Sequence, residues 1–231
     1  MTQIQTRPAT NTAGNYSTAD RLAGLGGLAF TLLAVSSVVV VPTAPAVDAS
    51  SGEIREYLTD HGQAFGVSAI LMVLTMFAGS AFFVWVHRRL AAADPTSMLP
   101  TWFLTSTTTV ITFAVSGAVL QGMLARHISG EIDDSTLVGL WLLWNFLAYM
   151  SPPLLMGVAW IIVAVRCVTH RVFPVWIGVV AGVSAVGGLV TGLVAIGTST
   201  KPPTIIDAGS FLLACVVMSS ISVHSLRRAS R

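Results

Sequence analysis

Six stretches of roughly twenty apolar residues run through this chain, and no Asp, Glu, Lys, Arg or His lies well inside any of them. They fall near 22–41, 63–86, 102–124, 137–165, 175–196 and 206–223. A helix needs about 20 residues to cross about 30 Å of hydrocarbon. A charge at the centre of such a span costs several kcal/mol unless it is paired or hydrated. The pattern therefore predicts an all-α, polytopic transmembrane bundle of six helices over 21–225. Only 10% of the 231 residues are charged, against about 25% in soluble domains. Six spans leave no room for a soluble catalytic domain.

Basic residues set the orientation. With the N-terminus inside, the cytoplasmic segments hold nine arginines: Arg7, Arg21, Arg88, Arg89, Arg166, Arg171, Arg227, Arg228 and Arg231. The outer segments hold three basic residues, Arg55, Arg126 and Lys201. The expected address is the cell membrane with both termini cytoplasmic. Trp85, Trp102 and Trp176 fall near the inner interface and Trp141 and Trp144 near the outer one, as in an aromatic belt. Residues 1–20, rich in Thr, Asn and Gln without apolar periodicity, read as a disordered tail, and 226–231 as a basic one. A second reading of the first run stands beside the retained anchor: a signal peptide cleaved after Ala44-Pro45-Ala46. The run's length and its long polar lead favour the anchor.

After the first span comes VDASSGEIREYLTDHGQAF. Ser50 followed by Glu53 fits a capping box, and Ile54, Tyr57 and Leu58 share one helical face. This predicts a short outer amphipathic helix lying at the interface. Glu56, Asp60 and His61, with His127, Glu131, Asp133 and Asp134 from the second outer loop, are weak candidates for a divalent metal. Their spacing matches neither HExxH nor an EF-hand loop, and acidic helix faces are ordinarily acidic for solvation. His87, His170 and His224 sit at cytoplasmic helix ends, so a bis-histidine haem within the membrane has no facing imidazoles. Cys167 and Cys215 lie in apolar surroundings without ligand spacing and read as small buried hydrophobes. No GxSxG, Walker A loop or dinucleotide fingerprint appears. No cofactor and no enzymatic chemistry follow, and no basic run suggests nucleic acid.

The fourth run carries the sharpest anomaly, WNFLAYMSPPLLMGVAW. At about 29 residues it is too long for one straight span and too short for two. Pro152 and Pro153 lack N–H groups, so the carbonyls of Ala148 and Tyr149 lose their helical donors. The expectation is a kink at Pro152 and Pro153 beside Asn145, Tyr149 and Ser151. Counting inward from the loop, Gln121 on span three reaches the depth of Asn145. Span three also carries Thr105, Ser106, Thr107, Thr108, Thr109, Thr112 and Ser116. Two readings follow. In one, Gln121 and Asn145 hydrogen-bond each other and hydroxyls satisfy the break. In the other, Gln121, Asn145, Tyr149 and Ser151 line a polar pocket for a lipid headgroup or small solute, because broken helices line transporter sites.

Span five contains Gly178-x-x-x-Gly182 and Gly188-x-x-x-Gly192, spacing that lets helix backbones approach closely, either within the bundle or against a second copy. WVHRRL, VRCVTHR and SVHSLRR end the even spans alike, which hints at three hairpins of common pattern, although arginine at every cytoplasmic helix end explains it equally.

The Gly-rich first span with its EIREYLTDHGQAF segment, the FVWVHRRLAAA end of span two, and RVFPVWIGVVAGVSAVGGLV together resemble the small six-span integral membrane proteins of actinobacteria grouped as domains of unknown function. That resemblance implies a fold and a membrane address and no activity. The expected function is a non-catalytic membrane component, an accessory or assembly subunit or a sensor. The alternatives are a small transporter or lipid-binding protein using the pocket between spans three and four, and a metal- or haem-binding redox protein. Its partners are membrane lipids, other membrane proteins or itself.

Overall fold

The structure is a computed structural model that describes residues 13–127, 132–198 and 204–229. Its helices are α1 (Ala13–Val39), α2 (Ser51–Ala93), α3 (Leu99–His127), α4 (Asp134–Asn145), α5 (Ser151–His170), α6 (Val175–Thr198) and α7 (Thr204–Ala229). A π-helical turn, Phe146–Met150, joins α4 to α5. Counting α4, the π turn and α5 as one, six helices among the described residues are long and apolar enough to cross a membrane. They form a closed ring in chain order: α1 packs on α2, α2 on α3, α3 on α5, α5 on α6, α6 on α7, and α7 returns to α1. Antiparallel neighbours joined by short connections give this order directly. The ring's outer surface carries exposed Leu32, Phe77, Val186, Leu193 and Leu212. An apolar face on every side suits lipid and would be untenable in water.

Two cores fill the ring. One, around Phe82, Phe83, Trp85, Phe103, Trp160, Ile177 and Met218, belongs to the half where most arginines sit. We call this the arginine-rich end. The other, around Ile54, Tyr57, Phe65, Leu124, Trp141 and Trp144, lies beneath the 40–50 connection at the opposite, capped end. Trp141 and Trp144 are fully buried in it, so they are core residues rather than members of an aromatic belt. Trp85 is likewise buried, whereas Trp102 and Trp176 are exposed. Stacking among Tyr57, Phe65, Trp141 and Trp144 gathers these rings inward, with Phe65 and Trp144 centroids 4.8 Å apart and Trp141 and Trp144 4.7 Å apart.

The helix bounds differ from expectation in three places. α1 begins at Ala13, so 13–20 is helical, and Asp20 within it is buried. α7 runs to Ala229, so most of the basic tail is also helical. The amphipathic segment after span one is not a separate interfacial helix. It starts at the Ser50–Glu53 capping box and runs without a break into span two, making one 43-residue helix about 64 Å long. The reason is packing: Ile54, Tyr57 and Leu58 bury against α3 and α4 rather than lying on lipid. The segment 51–62 contains no Pro to interrupt the helix.

Asp133 caps α4 by accepting from the Thr136 amide (3.0 Å). The hydroxyls of Ser135 and Thr136 hold its carboxyl well below the usual carboxylate range. α5 ends at Arg171, whose φ of 52° is the left-handed conformation that closes helices, with Pro174 soon after.

Candidate functional site

The helix broken by Pro152 and Pro153 holds its register through the π turn. Both the amide of Ser151 and its hydroxyl (2.9 Å) donate to the Phe146 carbonyl, five residues back. The wider turn sits directly N-terminal to the prolines, which occupy the first turn of α5, where missing N–H groups are tolerated. Glycines clamp this segment from two sides. A Cβ on Gly117 of α3 would lie 3.2 Å from the Ala148 nitrogen. A Cβ on Gly188 of α6 would lie 2.7 Å from the Pro153 carbonyl oxygen, and one on Gly192 2.6 Å from Leu154 Cβ. Gly178 stands against Cys167 in the same way, and Gly182 faces Ala164 at ordinary contact distance. Gly178, Gly182, Gly188 and Gly192 of α6 thus face α5 within the chain, whereas Gly187 faces Ser210 of α7, and α5–α6 is the most extensive helix pair.

Gln121, Asn145 and Ser151 are buried, while Tyr149 is half exposed with its ring edge-on to Trp144 at 5.1 Å. Gln121 does not pair with Asn145. Its amide nitrogen donates to the Phe65 carbonyl of α2 (2.8 Å), and its amide oxygen accepts from the Trp144 indole (3.2 Å). Asn145 instead donates back to the Trp141 carbonyl of its own helix (2.9 Å). The two amides take different partners and do not meet. Nearby, the Trp141 indole donates to the Ala46 carbonyl (3.1 Å) and the Tyr57 hydroxyl to the Pro42 carbonyl (3.2 Å). These bonds pin the 40–50 connection over the aromatic core. Arg55 adds a link to the Ile132 carbonyl and an ion pair with Asp134 (3.0 Å).

On span three, the Thr107 hydroxyl is buried and donates to its own helix, as do Thr109 and Thr112 on the exposed side. Of the weak metal candidates, Glu56 and Asp60 are exposed and His61 packs edge-on to Tyr57. The side chain of His127, and Glu131, lie outside the described residues. Among the described residues, no three His, Cys, Asp or Glu side chains converge as metal ligands would. The remaining histidines have separate surroundings: His87 faces the Pro100 carbonyl, His170 faces Arg166, and His224 packs on Phe173. Cys167 and Cys215 are buried free thiols.

The sequence reading missed a charged cluster at the arginine-rich end. Asp20 accepts from the Trp85 indole (2.6 Å) and from Arg89 (3.0 Å), whose guanidinium lies 5.0 Å over the Trp85 ring. The Ser225 hydroxyl of α7 donates to the Asp20 backbone carbonyl. Arg166, 3% exposed, pairs with Asp94 of the α2–α3 turn at 3.0 Å. The Thr96 hydroxyl first, then Arg166, hold the Asp94 carboxyl below its usual range. Arg166 Nη1 also lies 3.0 Å from His170 Nδ1. A signal for this cluster was available. Asp20 and Asp94 are the two acids in an arginine-rich set of segments, and a half-buried acid there must find a basic partner.

No family model, no curated protein and no solved structure matches this chain.

Proposed function

We propose that this multi-pass membrane protein is a non-catalytic component of the cell membrane, an accessory, assembly or sensing subunit, with its arginine-rich end and both termini in the cytoplasm. One observation carries the reading: Gln121, the most polar side chain deep in the bundle, uses its amide to join α3 to α2 and α4. Intramembrane polarity here builds the fold, where a solute site would leave donors and acceptors facing a cavity. The arginine distribution supports the orientation.

The test is a double substitution, Gln121→Leu with Asn145→Leu, in protein purified gently and reconstituted. Stability falls, while bound lipid and solute flux across liposomes stay at the wild-type level, and native mass spectrometry of the wild type reports a protein partner. A solute flux carried by the wild-type chain alone and abolished by the double substitution would overturn the reading in favour of a small transporter.

A further inference from the structure

We infer that the cleft between α1 and α2 at the arginine-rich end is a binding slot for one acyl chain of an anionic phospholipid, with Arg88 holding the phosphate. The cleft encloses about 420 Å³. Its walls are apolar, formed by Leu22 and Ala23 on α1 and Ala81 and Val84 on α2. Deeper in the bundle the helices close: a Cβ on Gly26 would lie 2.6 Å from the Ala78 carbonyl oxygen. The two helices therefore meet just beyond the inner end of the cleft.

Its dimensions match a lipid. Ala78 and Arg88 are ten residues apart on one helix, about 15 Å, and one leaflet of hydrocarbon is about half of a 30 Å core. Arg88 follows directly on the apolar run of α2, at headgroup depth, where the slot opens. The charge is complementary as well. Two arginines and one acid line the opening. Asp20 is engaged by Arg89 and Trp85, which leaves Arg88 exposed and without an ion pair among the described residues. A zwitterionic headgroup would bring its own cation against Arg88, whereas an anionic glycerophospholipid supplies the missing counter-charge. This slot lies apart from Gln121 and Asn145, and the inference does not depend on the function proposed above.

The experiment is native mass spectrometry of the full-length protein titrated with phosphatidylglycerol or phosphatidylcholine of identical acyl chains. The wild type is expected to bind phosphatidylglycerol about fivefold more tightly, the worth of roughly one arginine near an anionic headgroup. Arg88→Gln is expected to abolish that preference, and Arg88→Lys to keep it. Ala81→Phe, which fills the slot from its lipid side, is expected to reduce retention of both lipids. Equal retention of the two lipids by the wild type overturns the proposal with no variant needed. A preference unchanged in Arg88→Gln, or retention unchanged in Ala81→Phe, overturns the assigned location.

Discussion

At the capped end, Gln121 ties three helices together through two neutral hydrogen bonds, to a backbone carbonyl and to an indole. At the arginine-rich end, Asp20 ties α1 to α2 through an indole and a guanidinium, and to α7 through its backbone carbonyl. Both residues sit where a polar group is needed and water is scarce. The difference lies in depth. Gln121 lies within the third apolar run, three residues from its 124 end, where an ion would be costly. Asp20 lies at the edge of the first, where a basic partner, Arg89, is at hand. The capped end is consequently an aromatic core with neutral links, and the arginine-rich end is an ion-pair frame with arginine left over.

The strongest way to break this comparison is to remove each link in turn. Asp20→Ala leaves Arg89 and the Trp85 indole without their acceptor, and the Asp20 side chain is only 9% exposed. Stability in detergent is expected to fall by about 3 kcal/mol, the cost of orphaning one member of a buried pair. Gln121→Leu is expected to cost about 1–2 kcal/mol, the penalty for an unsatisfied buried indole N–H. Unfolding titrations of the two variants check the order, and an equal or larger loss for Gln121→Leu would mean that depth is not what separates the ends.

Between the two ends lies the proline break, held by close backbone contact rather than by polar links. Gly188→Val puts a branched side chain against the Pro153 carbonyl, a backbone atom with little freedom to yield. The expected loss is about 2 kcal/mol from overpacking, read as a lower thermal midpoint. Gly209→Ala, at a glycine with open space around it, is the matched control and is expected to be neutral or slightly stabilising.

The smallest effect is acid sensitivity. Asp133 at the capped end and Asp94 at the arginine-rich end both have carboxyls held below their usual range. A depressed folded-state value means that the stabilisation is fully present above the unfolded value of about 3.9. It is lost as pH falls below that value towards the folded one. Hydrogen exchange at the start of α4, taken relative to the intrinsic amide rate at each pH, is therefore expected to be flat from neutral pH to about pH 5 and to rise below about pH 4. Asp133→Asn, which keeps a capping oxygen, is expected to remove the rise. Acid sensitivity that persists in this variant would place its origin elsewhere.

Much of this molecule is legible along the chain. Span positions follow from apolar runs, the start of α2 from Ser50 and Glu53, and the close α5–α6 approach from four glycines spaced a turn apart. The interruption at Pro152 and Pro153 is equally plain, because a missing N–H is a property of residue type. The partner of Gln121 was not legible. Its acceptor is the carbonyl of Phe65, and a backbone carbonyl carries no residue signature. Counting residues from a loop does not give azimuth, and Asn145 bonds its own helix instead of Gln121. Trp141 and Trp144 stand near an interface by sequence position, and only the neighbours Tyr57 and Phe65 turned them inward.

The sequence by itself determined that the chain forms six apolar helices in antiparallel succession, since hydropathy and short connections depend on local composition alone. Tertiary structure decided which polar atoms meet, that the proline break becomes a π turn seated between glycines, and that α1 and α2 line a cleft beside Arg88, which has no ion pair among the described residues. Those outcomes depend on helix rotation and inter-axial distance, which arise only when neighbouring helices pack.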